Sequence, residues 1–239
     1  MRKFGLIGYP LSHSFSPGYF AARFEREGID DARYDLYPLE EISTFCDLLK
    51  DDLQGLNVTI PYKEKVIPFL DELTPAAKAI GAVNVIDLRG GRSTGHNSDV
   101  YGFRVSLESC WGKPPSGALV LGTGGAAKAV WYVLNELRIP FLKVSRSKGD
   151  LLYQDITPDH LNTHPLVINT TPLGMSPQVD SCPELPYEAL TEQNILFDLV
   201  YNPSVTLFLQ KGAEVGATVK NGYDMLTLQA ERSWEIWNS

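Results

Sequence analysis

An α/β architecture in two domains is predicted by three features of the sequence. Apolar runs of strand length recur in the second half: Ala118–Leu121, Leu142–Val144, Leu166–Ile168, Ile195–Leu199 and Ala217–Val219. Helical patterns lie between several of them, which indicates βαβ units and a mostly parallel sheet. The rhythm of the first hundred residues is different, with shorter runs broken by Gly and Pro, so a domain junction is expected near residue 100. Finally, a glycine-rich turn leads directly from one of the apolar runs into a helix. At 239 residues, 44% apolar and 21% charged, the chain suffices for one large domain or two modest ones.

In chain order, Phe4–Ile7 reads as a strand stopped by Gly8 and Pro10. Pro17–Glu27 reads as a helix ending at Gly28, and Asp35–Pro38 and Gly55–Thr59 as two further strands. Pro61 then occupies a place suited to the first turn of a helix. Val66, Phe69, Leu70 and Leu73 follow at i, i+3, i+4 and i+7, a helical stripe. Ala82–Asp87 is a strand closed by Arg89-Gly90-Gly91, and Val100–Leu107 a helix. The final stretch, Met225–Trp237, is helical in pattern and free to pack on either domain.

Composition excludes several classes. The net charge of −8 offers no clustered basic face for nucleic acid. Cys46, Cys110 and Cys182 are odd in number and far apart, which argues against a disulfide framework and for a reducing, cytoplasmic setting. No apolar run approaches the ~20 residues of a membrane span. The N-terminal apolar patch is too short for a signal peptide and lacks a cleavage site. His160 and His164 have metal-pair spacing, but Pro158 and Pro165 flank them and no third ligand is evident, so they read as loop residues and no metal is expected.

In ALVLGTGGAAKAV (118–130), a strand runs into Gly122-Thr123-Gly124-Gly125-Ala126 and a helix begins at once. Gly122, Gly124 and Ala127 occupy the three places of a GxGxxG/A fingerprint. Such glycines let backbone approach a pyrophosphate, and the helix N-terminus offers free N–H groups and a positive dipole end. A tight turn in any doubly wound domain is the blander reading of the same residues. The next strand ends in Ser145-Arg146-Ser147-Lys148, where an NAD site would carry an acidic residue. A guanidinium suits a 2′-phosphate and stacks on adenine, so the cofactor reads as NADP; the alternative is a solvated basic turn.

The first domain carries polar residues in suggestive places. In LSHSFSPG (11–18), Ser14 and Ser16 point the same way if the chain is extended and could hold a small carboxylate; equally, they could cap the next helix. In NVTIPYK (57–63), Asn57 and Thr59 share a strand face, and Lys63 is expected one turn into the following helix, facing the same cleft as Thr59. In GHNSDVYG (95–102), Asp99 is either a helix N-cap or the partner of Lys63 in proton transfer, with the lysine moving the proton and the aspartate orienting it.

Together these segments resemble the shikimate dehydrogenase family. The resemblance runs through GYPLSHSFSP, NVTIPYK, GAVNV (81–85), HNSDVYG, LGTGGAAKAV, SRS (145–147), INTTPLGM (168–175), DLVYNP (198–203) and NGYDMLTLQA (221–230), in order. It implies an N-terminal α/β substrate domain and a Rossmann-like NADP-binding domain with the cleft between them. The implied bounds are 1–99 with 223–239, and 100–222.

It implies Lys63 and Asp99 as the catalytic pair. Ser14, Ser16 and Tyr201 would be at the substrate carboxylate, with Thr59, Asn84 and Gln229 at the ring hydroxyls. Gly122, Thr123, Gly124, Gly125 and Ala126, continuing to Lys128, would cradle the pyrophosphate, and Ser145, Arg146 and Ser147 the 2′-phosphate. Thr170, Leu199, Gly222 and Met225 would line the nicotinamide end. The implied reaction is reversible NADP-dependent reduction of 3-dehydroshikimate to shikimate, in chorismate and aromatic amino-acid biosynthesis, by a monomer or homodimer.

The chain departs from the family pattern in places. Ser145-Arg146-Ser147 stands where Asn-Arg-Thr is common, Lys148 where a second arginine usually follows nearby, and Asn97-Ser98-Asp99 where Asn-Thr-Asp is usual. Weaker NADP affinity, or partial tolerance of NAD, is therefore expected. The competing readings are a quinate or amino-shikimate dehydrogenase, a methylene-tetrahydrofolate dehydrogenase of similar plan, and a nucleotide-binding regulator without catalysis.

Overall fold

A computed structural model describes residues 1–12 and 14–239. Among them are two six-stranded sheets. The first is built from β1 (Arg2–Gly8), β2 (Ala32–Pro38), β3 (Gly55–Val58), β4 (Glu72–Leu73), β5 (Val85–Asp87) and β6 (Thr94–His96), with helices α1 (Ser16–Glu27), α2 (Phe45–Leu48) and α3 (Pro75–Ile80) in its connections. Its order is β2-β1-β3-β5-β6-β4. β1 runs parallel to β2 and β3, whereas β5 is antiparallel to β3 and to β6. One edge of this sheet therefore collects the ends of β1, β2, β3 and β6 and the start of β5.

The second sheet holds β7 (Ala118–Leu121), β8 (Phe141–Ser145), β9 (Leu151–Leu152), β10 (Leu166–Asn169), β11 (Ile195–Asp198) and β12 (Thr218–Lys220). Its order is β12-β11-β10-β7-β8-β9, and every pairing is parallel. Helices α4 (Asp99–Glu108), α5 (Gly125–Glu136), α6 (Pro158–Thr163) and α7 (Leu207–Glu214) accompany it, and α8 (Tyr223–Asn238) ends the chain. The strand order reverses at β7, which is the topological switch where such sheets bind ligands beyond their carboxyl ends. Alternation along β7 serves two cores. Ala118 and Val120 pack with Phe103, Val130 and Phe197, while Leu119 and Leu121 pack with Leu161, Leu196 and Phe208. Burial on both faces explains why the central strands β7, β10 and β11 read as unbroken apolar runs.

Met1–Ser98 with Ala230–Ser239 forms one compact unit, and Asp99–Gln229 the other. The division falls within α8, at Ala230, rather than at residue 223 where the return to the first domain was expected. In the first unit the end of α8 is anchored by Trp237, which is 2% exposed and stacks on Phe4 with ring centroids 4.9 Å apart. Its indole N–H donates to the Ile86 carbonyl at 3.0 Å. Gly55 is required there, since a Cβ would lie 2.1 Å from the indole nitrogen. Among the described residues no helix is long and apolar enough to cross a membrane.

Two local expectations are corrected. No α-helix follows Pro61; residues 63–66 form turns, Ile67–Phe69 a 3₁₀ turn, and Glu72–Leu73 a strand. The Lys63 carbonyl, which a helix would give to Ile67, instead accepts from Val83 N–H at 2.7 Å. Ile67 N–H turns to Glu64 at 3.3 Å, and Pro68 has no N–H to continue the ladder. His160 is likewise not a loop residue. Pro158 opens α6, where its missing N–H is harmless, and His160 closes a capping box with Thr157.

Candidate active site

In the first unit the expected substrate residues gather at the edge where β1 and β3 end. Ser14 lies in the loop after β1, and Ser16 is the first residue of α1. Thr59 directly follows β3 and its N–H donates to the Ile7 carbonyl at 2.9 Å. Asn84 precedes β5, and its main-chain carbonyl accepts from Val58 N–H at 2.9 Å. Lys63 is half-buried in the turn beyond β3, and its bond to Val83 sets it beside Asn84 in the backbone network. It reaches this edge through a turn and not through the helical spacing expected from the sequence. Asn57 is 5% exposed and fully used inside the unit, as described below. Ser98, buried two residues beyond β6, holds Asn84, and the next residue, Asp99, opens α4.

The expected residues of the second unit take the equivalent position in their own sheet. Gly122 follows β7 with φ +105°, the left-handed region that favours glycine, and a Cβ on it would meet Thr170 Oγ1 at 2.7 Å. Thr170 follows β10 and donates its hydroxyl to the Leu121 carbonyl at 2.7 Å. Ser145 ends β8. Its buried oxygen accepts from the N–H groups of Ser147 and Lys148 at 3.2 and 2.7 Å, so this serine builds the turn that leaves Arg146, Ser147 and Lys148 exposed. Leu199 follows β11, and Gly222 follows β12 so closely that a Cβ would lie 2.1 Å from the Leu199 carbonyl oxygen. Met225 and Gln229 lie on α8, whose backbone passes close to Gly102 of α4; a Cβ there would sit 2.5 Å from the Met225 carbonyl. Tyr201 is exposed in the loop after β11.

The glycine turn fits a dinucleotide. Gly124 caps α5 and has no side chain to accept from the first amides of the helix. Thr123, Gly124, Gly125 and Ala126 are exposed, and a Cβ on Gly124 or Gly125 would meet nothing within 4 Å. Open space before a helix N-terminus, faced by glycine backbone, is what a pyrophosphate needs.

Below this edge lies a polar network that the sequence reading did not single out. Asp198, wholly buried, accepts from Thr206 Oγ1 at 2.6 Å, Val200 N–H at 3.0 Å and Asn169 Nδ2 at 3.0 Å. Asn169 Oδ1 in turn accepts from the Thr171 amide at 3.0 Å and its hydroxyl at 2.6 Å. Burial pushes the Asp198 carboxyl up to about 6, despite the three donors that favour its charge. The pair thus ties together the loops that carry Thr170 and Leu199. A polar residue closing each apolar run, Asn169 after Ile168 and Asp198 after Phe197, is the signal that could have found them.

Residues 6–86 match the shikimate dehydrogenase substrate binding domain. Over 98% of its length the chain is 38% identical to the NADP(+) shikimate dehydrogenase of Halothermothrix orenii, covering 89% of that protein. The chain belongs to the shikimate dehydrogenase family. A shikimate dehydrogenase structure from Thermus thermophilus, in complex with NADP(H) and shikimate, is 30% identical with a TM-score of 0.86, covering 99% of this chain and 93% of that one. Another, from Listeria monocytogenes in complex with shikimate and NAD, is 25% identical with a TM-score of 0.88, covering 100% and 92%. The chain is an NADP-dependent oxidoreductase of this family, with its substrate-binding and Rossmann-like architecture.

Proposed function

We propose that the chain interconverts 3-dehydroshikimate and shikimate with NADP, and that Lys63 and Asp99 move and orient the proton. The observation that carries this reading is positional. The residues expected to touch substrate in the first unit, and those expected to touch cofactor in the second, each cluster at the strand ends of their own sheet. When bound, the reduced nicotinamide supplies hydride to the ring carbonyl carbon. Lys63 gives a proton to the oxygen on which negative charge grows, and takes it back in the oxidative direction. Asp99 orients the lysine. Ser14, Ser16 and Tyr201 hold the carboxylate, and Thr59, Asn84 and Gln229 the ring hydroxyls. The glycine turn and the α5 N-terminus hold the pyrophosphate, and Arg146 with Ser147 the 2′-phosphate.

A second reading concerns the cofactor. One cation, Lys148, accompanies Arg146 in the exposed turn, and the Listeria protein was crystallised with NAD. NAD is accordingly used as a weaker substitute. Turnover of shikimate and quinate with NADP⁺ and NAD⁺ tests both points. Shikimate with NADP⁺ should be the fastest pair; turnover of quinate alone, or of neither acid, would overturn the assignment.

A further inference from the structure

A buried hydrogen-bond chain runs under the substrate-side edge of the first unit. Two main-chain groups fix its directions, because an N–H only donates and a carbonyl only accepts. Ser98 N–H donates at 2.7 Å to the side-chain oxygen of Asn84, so the orientation of that amide is set and its nitrogen donates to Ser98 Oγ at 3.1 Å. The Asn57 amide nitrogen donates to the Asn84 main-chain carbonyl at 3.2 Å and to Ser233 Oγ at 2.9 Å. Both of its hydrogens are then engaged, and its oxygen faces Tyr34, whose hydroxyl donates at 2.8 Å. Ser233 completes the chain with a 3.5 Å contact to Ser98 Oγ. Asn57, Asn84, Ser98 and Ser233 are all 5% exposed or less.

We propose that Tyr34, on β2, and Ser233, on α8, are positioning residues that hold Asn84 in its substrate-binding orientation, through the Asn57 bond to its main-chain carbonyl and the Ser98 bonds to its side-chain amide. The proposal rests on the reading of Asn84 as a substrate contact. In a low-dielectric interior a fully satisfied network keeps one arrangement, and losing one hydroxyl leaves its partner unpaired and free to turn. Neither hydroxyl is placed to touch cofactor in this reading, so the effect is confined to the substrate side.

The test is the whole protein carrying Tyr34→Phe, Ser233→Ala, or both, with KM for shikimate, KM for NADP⁺, kcat and thermal midpoint measured together. Each single change should raise KM for shikimate about three- to tenfold, the range one net hydrogen bond supports. KM for NADP⁺ should stay within about twofold. The double variant should be no worse than the worse single, because both act on the same Asn57 amide. A merely structural role lowers the thermal midpoint and leaves KM for shikimate unchanged, which would overturn the proposal. The two substitutions lie on different elements, so either one that folds decides the question. A wild type inactive on shikimate would instead overturn the substrate reading itself.

Discussion

Asp198→Asn should change how stability depends on pH. The wild-type carboxyl is buried without a cationic partner among its bonds, and its pKa is pushed from the ordinary 3.8 to about 6. A gap of about 2.2 between folded and unfolded values corresponds to roughly 3 kcal/mol. The sign follows from proton binding. Below 3.8 both states hold the proton and its stabilising effect is fully present. Between 3.8 and about 6 only the folded state holds it, so that contribution is lost as pH rises through this window. Asparagine keeps the acceptor for Val200 and Asn169. Its amide nitrogen can donate to Thr206 Oγ1, since a hydroxyl serves as either partner. Urea unfolding of both proteins at about pH 4 and about pH 7.5 reads the difference. The variant should match the wild type in acid and exceed it near neutrality by up to roughly 3 kcal/mol. A gap that does not vary with pH, or that widens in acid, would show that burial of this carboxyl does not set the dependence.

Other substitutions should act on single parts of the site. Gly122→Ala forces a Cβ into the left-handed region and to within 2.7 Å of Thr170 Oγ1. At about 1–3 kcal/mol of strain, KM for NADP⁺ should rise about tenfold, which steady-state kinetics would show. Arg146→Ala should weaken NADP⁺ by about tenfold or more, from lost charge-assisted bonds, and leave NAD⁺ kinetics nearly unchanged. Trp237→Ala should cost the protein about 3–5 kcal/mol by emptying the space against Phe4 and Gly55, a loss that calorimetry would register as a lowered thermal midpoint.

The sequence made the second unit legible because its central strands, β7, β10 and β11, are buried on both faces, so their apolar runs stand clear of the turns. Gly122 was legible for a related reason: its neighbours leave no room for a side chain. The first unit was harder to read. Its helical stripe of Val66, Phe69, Leu70 and Leu73 is real as a buried face, yet Pro68 and the bond from Val83 to Lys63 divert it into turns and a short strand. That diversion depends on a contact with a residue 20 positions later, and no local pattern carries it. Thr94–His96 was missed as a strand because three residues give too little alternation. The supports of the site, half-buried Tyr34 and buried Ser98, Asn169, Asp198, Thr206 and Ser233, carry no motif of their own. Their roles arise from partners far away in the chain, as the Asn57–Ser233 bond illustrates.

Proton transfer by Lys63 in NADP-dependent oxidation of shikimate is the step we propose for this site. The most direct measurement is reduction of NADP⁺ by shikimate, followed by the absorbance of the reduced nicotinamide, for wild type beside Lys63→Ala. Turnover by the wild type, with kcat lower by about 10²–10⁴-fold in the variant and its KM for NADP⁺ unchanged, is the predicted result. A variant that turns over shikimate at nearly the wild-type rate would contradict it.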